Sequence, residues 1–174
     1  MISRRTMLGL LAGGLLVGVS RAHTPYQQWV VYRKKHLLIA TDKSVEESYP
    51  LGRQLAAILA EQLPHSQARV ARAPNSIRIA SLLATGQFDV ALLPSLQAVA
   101  LMRGDPPFGD YGPLELRALF AVDDFLLICR QNFPVEHAYL VTSTLMQHTE
   151  ANFHEIGELE IPLHPGSREF LQGD

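Results

Sequence analysis

The sequence has one cysteine, almost no net charge and none of the common catalytic signatures, and each scarcity removes a class of function. A lone Cys129 rules out an intramolecular disulfide, and its place in the apolar run FLLICR predicts a buried, inert thiol. Fifteen Lys and Arg against seventeen Asp and Glu give a formal charge of −2, so no basic excess points to nucleic acid. There is no Gly-x-Ser-x-Gly elbow, no Cys-x-x-Cys, no phosphate-cradling glycine loop and no His-Glu-x-x-His. Acyl transfer, dithiol redox, nucleotide and zincin chemistry therefore all lack their signature, and the chain reads as non-enzymatic, without cofactor or metal. Among its seven histidines, His137 and His148 stand eleven residues apart on one helix. They are separated by about 16 Å of helical rise, too far to share an ion. His154 and His164 have no ligand spacing that sets them apart from surface residues.

What is present begins with MISRRTMLGLLAGGLLVGVSRA. A basic start, an apolar run from Met7 to Val19 and the small residues Ser20 and Ala22 around Arg21 predict an export signal over residues 1–22. The apolar run falls short of the roughly 20 residues that span a bilayer. Arg4 and Arg5 lie in Ser-Arg-Arg-Thr-Met-Leu, which is similar to the twin-arginine export signature, so a periplasmic location is expected. Residues 23–174 are read as one α/β domain, 47% of the whole sequence being hydrophobic and ample for a core. Trp29 and Tyr32 in the segment TPYQQWVVYRKK are expected to pack against that domain.

Further along, apolar runs alternate with helical periodicity. HLLIAT (36–41), ARVARA (68–73) and FDVALLP (88–94) read as strands. Between and after them, a helix over 49–63 with Ser48 as its cap, one starting near Asn75 and closing at Gly86, and one over 95–104 supply crossovers. The alternation predicts parallel strands with helices on both faces. ALFAVDDFLLICR then breaks the pattern, because two apolar runs around a bare Asp123-Asp124 can only be a hairpin. A long helix opened by Pro134 and running to about Ile156 is expected next, and the tail after it reads as coil or a short turn.

In open parallel sheets, ligands sit at the carboxyl ends of strands, beside helix N-termini. That directs attention to the loops Asp42–Tyr49, Pro74–Ser76 and Pro94–Ser95, whose hydroxyl and amide side chains suit a small anion such as a carboxylate. The same residue types also favour helix caps. Glu46 and Glu47 oppose an anion and would instead recruit a cation or an amine.

The stretch from Ser48 to Ser95 resembles the first lobe of TAXI-type solute receptors of tripartite ATP-independent periplasmic (TRAP) transporters. Its Tyr-Pro-Leu-Gly helix start, Ser-led second helix and Asp-Val-Ala-Leu-Leu strand carry the likeness. Leu116-Arg117-Ala118-Leu119, the helix in FPVEHAYLVTSTLMQH and the closing IPLHPGSREFL extend it to roughly Leu38–Phe170. The resemblance implies a three-layer α/β lobe of the periplasmic-binding-protein (type II-like) kind, with a mixed, mostly parallel sheet and one late antiparallel hairpin. It implies Tyr49, Ser76 and Ser95 as ligand contacts, to which the first loop adds Thr41 and Ser44. In these receptors the chain leaves the first lobe after the Leu-Arg-Ala-Leu strand, builds a second lobe, and returns by a strand that leads into the late helix. Here Asp123-Asp124 replaces that excursion, and TDKSVEES replaces the Gly-rich turn of the first loop. A single lobe supplies half the contacts of a closing cleft. Two functions follow as expectations. One is a binding protein for a small polar carboxylate or amino acid, in transport or sensing. The other is an accessory or assembly partner of an exported redox enzyme or membrane transport complex. The oligomeric state is left open by the sequence.

Overall fold

A computed structural model of the chain describes residues 36–149 and 160–173. The expected export signal with Arg4 and Arg5, and the packing of Trp29 and Tyr32, lie outside those residues. The first apolar run forms β1 (Leu38–Asp42), buried along its whole length. It needs that apolarity because it is central: β2 (Arg69–Ala73) and β3 (Val90–Pro94) flank it, both parallel to it. β2 is the outer strand among the described residues, and its Arg69 and Arg72 are exposed, charges that disfavour pairing of a sheet edge with another chain.

The crossovers are α1 (Ser48–Gln62) and α2 (Ser76–Ala84), and α3 (Ser95–Arg103) follows β3. The chain steps outward from β1 to β2 and then back past β1 to β3, so right-handed crossovers place α1 and α2 on opposite faces. α1 shares its face with α4 (Val135–His148), where Leu55, Leu59, Val141 and Leu145 bury Ile39, Leu92 and Leu127. On the other face Ile79, Leu83 and Leu101 cover Leu93 and Ile128, and Phe108 plugs the gap under the Pro/Gly loop. The result is an α/β arrangement with a five-stranded mixed sheet between helical layers.

The hairpin is β4 (Leu116–Val122) and β5 (Phe125–Arg130), and Asp123 takes the positive φ of 49° that so tight a reversal needs. Strand order is β2-β1-β3-β5-β4. The second strand of the hairpin therefore inserts beside β3, antiparallel to both neighbours, and β4 lies outside it.

Three local expectations change. Ser48 is not the cap of α1: Glu47 holds that position, and the Ser48 hydroxyl turns inward to accept from the Asp42 N–H at 3.0 Å. α4 stops at His148, where an extended Thr149 donates its hydroxyl to the Leu145 carbonyl at 2.6 Å. The rest of the helix expected to reach Ile156 lies outside the described residues. The tail is more ordered than coil. Pro162 and His164 pair with Ala118 and cover the open edge of β4, and α5 (Pro165–Gln172) follows. α5 forms because it packs backbone to backbone on α4: a Cβ on Gly166 would stand 2.1 Å from the Val135 carbonyl oxygen. Tyr139 and Phe170 meet edge to face alongside, 5.7 Å between ring centroids.

Candidate functional site

The carboxyl ends of β1, β2, β3 and β4 lie along one edge of the sheet, and the β4–β5 turn joins them there. Three loops and the Asp123-Asp124 turn thus line a common shelf, as the topology of a parallel sheet dictates. The five candidate residues all fall on or under this shelf, and their surroundings differ.

Thr41 is buried, and its hydroxyl donates to the Ala71 carbonyl at 3.2 Å, across the β1–β2 pair. Its methyl faces Gly52, where an added Cβ would come within 2.4 Å of it, so Thr41 also sets how closely α1 approaches the sheet. Ser44 is spent on Asp42: its N–H and its hydroxyl both donate to Oδ1, at 2.7 and 2.5 Å. Ser95 gives both its N–H and its hydroxyl to the Asp124 carbonyl, at 2.8 and 2.9 Å. The start of α3, an anion-attracting position in general, is therefore stoppered by the hairpin turn.

Tyr49 and Ser76 stand half-buried at the first turns of α1 and α2. Arg72 lies over the Tyr49 ring, its guanidinium carbon 4.4 Å from the centroid. This cation–π contact holds a positive charge at the shelf without neutralising it. Beside Ser76, Asn75 caps α2 by accepting from the Arg78 N–H at 2.9 Å, a placement the sequence anticipates.

Asp42, read from sequence only as the start of a polar loop, is the residue that most changes the site. It is fully buried at the carboxyl end of β1. Oδ1 is held by Ser44, and Oδ2 has no hydrogen-bond partner among the described residues. A buried carboxylate oxygen without a donor costs free energy, of the order of 1–3 kcal/mol or more, until a donor reaches it. The strand register puts Arg72 opposite Thr41 and Ala73 opposite Asp42, so the carboxylate and the guanidinium belong to adjacent positions of neighbouring strands. The shelf therefore carries a buried acceptor and an exposed cation from two neighbouring strands, turned to opposite faces of the sheet by strand alternation. Sequence carried a signal for this: a carboxylate ending a mostly apolar strand, one short loop before a helix start.

Elsewhere, burial and the nearby Asp89 carboxylate push the Cys129 thiol well above its ordinary range, which keeps it protonated and unreactive. His164, which its spacing did not set apart from surface residues, is buried with its ring nitrogens facing the Phe133 carbonyl and the Gly166 N–H. No cluster of three or more His, Cys, Asp or Glu among the described residues is arranged to hold a metal ion. No helix among them is long and apolar enough to cross a membrane. Neither the family models nor the curated proteins yield a match to this chain.

Proposed function

We propose that this chain is an exported, non-enzymatic, single-lobe relative of the TAXI-type solute receptors, and that its shelf engages a small zwitterionic solute of the α-amino acid class. The observation that carries the reading is the buried Asp42 Oδ2, without a hydrogen-bond partner among the described residues, at the same sheet edge as the Arg72 guanidinium. An ammonium group supplies the donor that Oδ2 lacks, and a carboxylate suits Arg72 and the positive end of α2 near Ser76. A dicarboxylate would satisfy only the second half. Kinship with the receptors is supported by β5, which leads into the helix opened by Pro134 as their returning strand does, and enters the sheet beside β3. Export by the twin-arginine route to the periplasm belongs to the same proposal.

A thermal-shift panel tests it. α-Amino acids at millimolar concentration are expected to raise the melting temperature, while matched dicarboxylates lacking an amine are not, because a ligand stabilises only by preferring the native state. Arg72→Ala should abolish the shift. No stabilisation by any amino acid would reject solute binding at this edge.

A second reading, as an accessory partner of an exported enzyme or membrane complex, is favoured by one observation. Leu96, at the shelf on the first turn of α3, is 86% exposed, and Ile77 on the first turn of α2 is 40% exposed. Apolar side chains displayed there suit a protein surface better than a polar solute. Co-purification from native periplasm separates the two readings: a stoichiometric partner lost in Leu96→Asp supports this one, and recovery of the monomer alone rejects it.

A further inference from the structure

Among the described residues, two buried side-chain atoms have no hydrogen-bond partner, Asp42 Oδ2 and Gln97 Oε1. Both are acceptors, and the fold brings them to one face of the sheet at its carboxyl edge. Asp42 ends β1 opposite Ala73, and strand alternation turns it to the side of Ala40, toward the core that α2 and α3 cover. Gln97 lies in the first turn of α3, directly after β3, the neighbour of β1. Ala98 and Leu101 hold α3 to the sheet. At about 100° per residue, Ser95 and Gln97 stand on opposite flanks of that buried stripe. Ser95 bonds to Asp124 in the hairpin turn, on the β5 side of β3. Gln97 is therefore on the other flank, toward β1 and Asp42.

Two unmet acceptors that share a face and an edge are satisfied together by one partner with at least two donors. Each costs free energy while unpaired, so a group that meets both is bound more tightly than one that meets either alone. The donor set fits a metal ion poorly. Calcium takes roughly six to eight oxygens, and no cluster of three or more His, Cys, Asp or Glu stands here among the described residues. An ammonium group fits, since it brings a positive charge to the carboxylate and more than one N–H bond. Gln97 is half-buried, so the wall it forms reaches solvent. The positive end of α2 lies on the same face and suits a carboxylate carried by the same small molecule.

We propose that Asp42 Oδ2 and Gln97 Oε1 form a two-acceptor pocket for the ammonium group of the solute, so that the shelf distinguishes amines by their number of N–H bonds. This selectivity rests on the reading of the solute as an α-amino acid, and it makes Gln97 the residue that sets it.

Glycine carries every group which that reading invokes, and its N-methyl series removes one N–H bond at a time. Dissociation constants from amide NMR titrations of the full chain should be similar for glycine and N-methylglycine, which both keep two donors. N,N-dimethylglycine should bind roughly tenfold more weakly, and N,N,N-trimethylglycine more weakly still. In Gln97→Met, which keeps the length of the side chain without its amide, glycine should weaken about tenfold. The step between N-methylglycine and N,N-dimethylglycine should vanish there, while a cooperative thermal transition is retained. If that variant does not fold, the series on the native chain still decides. Glycine binding with no step along the native series would overturn the pocket and leave amino acid binding intact. Equal constants in the native chain and Gln97→Met would do the same. No binding of glycine to the native chain would overturn the pocket together with the reading it rests on.

Discussion

His164 has both ring nitrogens in use. Nδ1 lies 3.3 Å from the Gly166 N–H, which it can meet only as an acceptor, so the proton sits on Nε2 and is donated to the Phe133 carbonyl at 2.9 Å. Burial is the larger influence and lowers the histidine's pKa below its ordinary value of 6.5, outweighing the Phe133 hydrogen bond that acts to raise it. In the interval between the lowered folded value and 6.5, the unfolded chain binds a proton that the native state does not. Stability contributed by this residue is thus complete above about pH 6.5 and is lost as pH falls through that interval. Melting temperatures measured from about pH 7.5 to pH 5.5 should fall on acidification in the native sequence. In His164→Asn, which keeps a side-chain cap for α5, the curve should start lower and be flatter. Equal slopes for the two proteins would show that His164 is not held neutral.

The β4–β5 hairpin is the element on which the fold turns. Asp123 carries its left-handed φ, and Asp124 gives its carbonyl to the first residue of α3, so the turn both reverses the chain and locks to a neighbouring helix. Asp123→Gly should be tolerated, because glycine accepts φ of 49° without a Cβ penalty. Asp123→Val should cost about 1–2 kcal/mol. Ser95→Ala, which removes only the hydroxyl bond to Asp124, should cost about 1 kcal/mol. Chemical denaturation of the three variants gives this ranking, and a Gly variant less stable than the Val variant would refute the turn assignment. The hairpin was legible in the sequence because two apolar runs separated by two residues have no other solution. Which of its strands joins β3 was only faintly marked: Glu115 and Arg117 alternate with apolar residues where β4 starts, as an outer strand allows, while β5 is apolar as far as Arg130. α5 was hidden for a different reason. Its polar Ser-Arg-Glu and Gly166 look like loop, and the helix is fixed by how closely its backbone meets α4, which no local pattern records. Ser48 and Asp42 failed similarly: a hydroxyl before a helix reads as a cap unless the strand end it serves is known.

At the scale of the whole molecule, the two ends of the strands have different characters. The amino edge holds an apolar groove at which the chain enters, and the carboxyl edge holds a polar shelf built from Asp42, Arg72 and the turns around them. The position of the shelf followed from strand-helix alternation, since parallel topology dictates it. Its chemistry did not. The hydroxyls of Thr41, Ser44 and Ser95 suggested an anion site, and each is engaged within the protein, leaving a buried acceptor and an exposed cation that only the fold brings to one sheet edge. Under the proposed kinship the two-residue turn stands in place of a second lobe, so binding at this shelf should be weak and confined to one surface. Backbone amide NMR spectra recorded during titration with the amino acid that most raises the melting temperature address this directly. The account predicts fast-exchange shifts concentrated in residues 42–49 and 72–76, lost in Arg72→Ala. Shifts centred on the amino-edge groove, or no shifts at all at millimolar ligand, would contradict it.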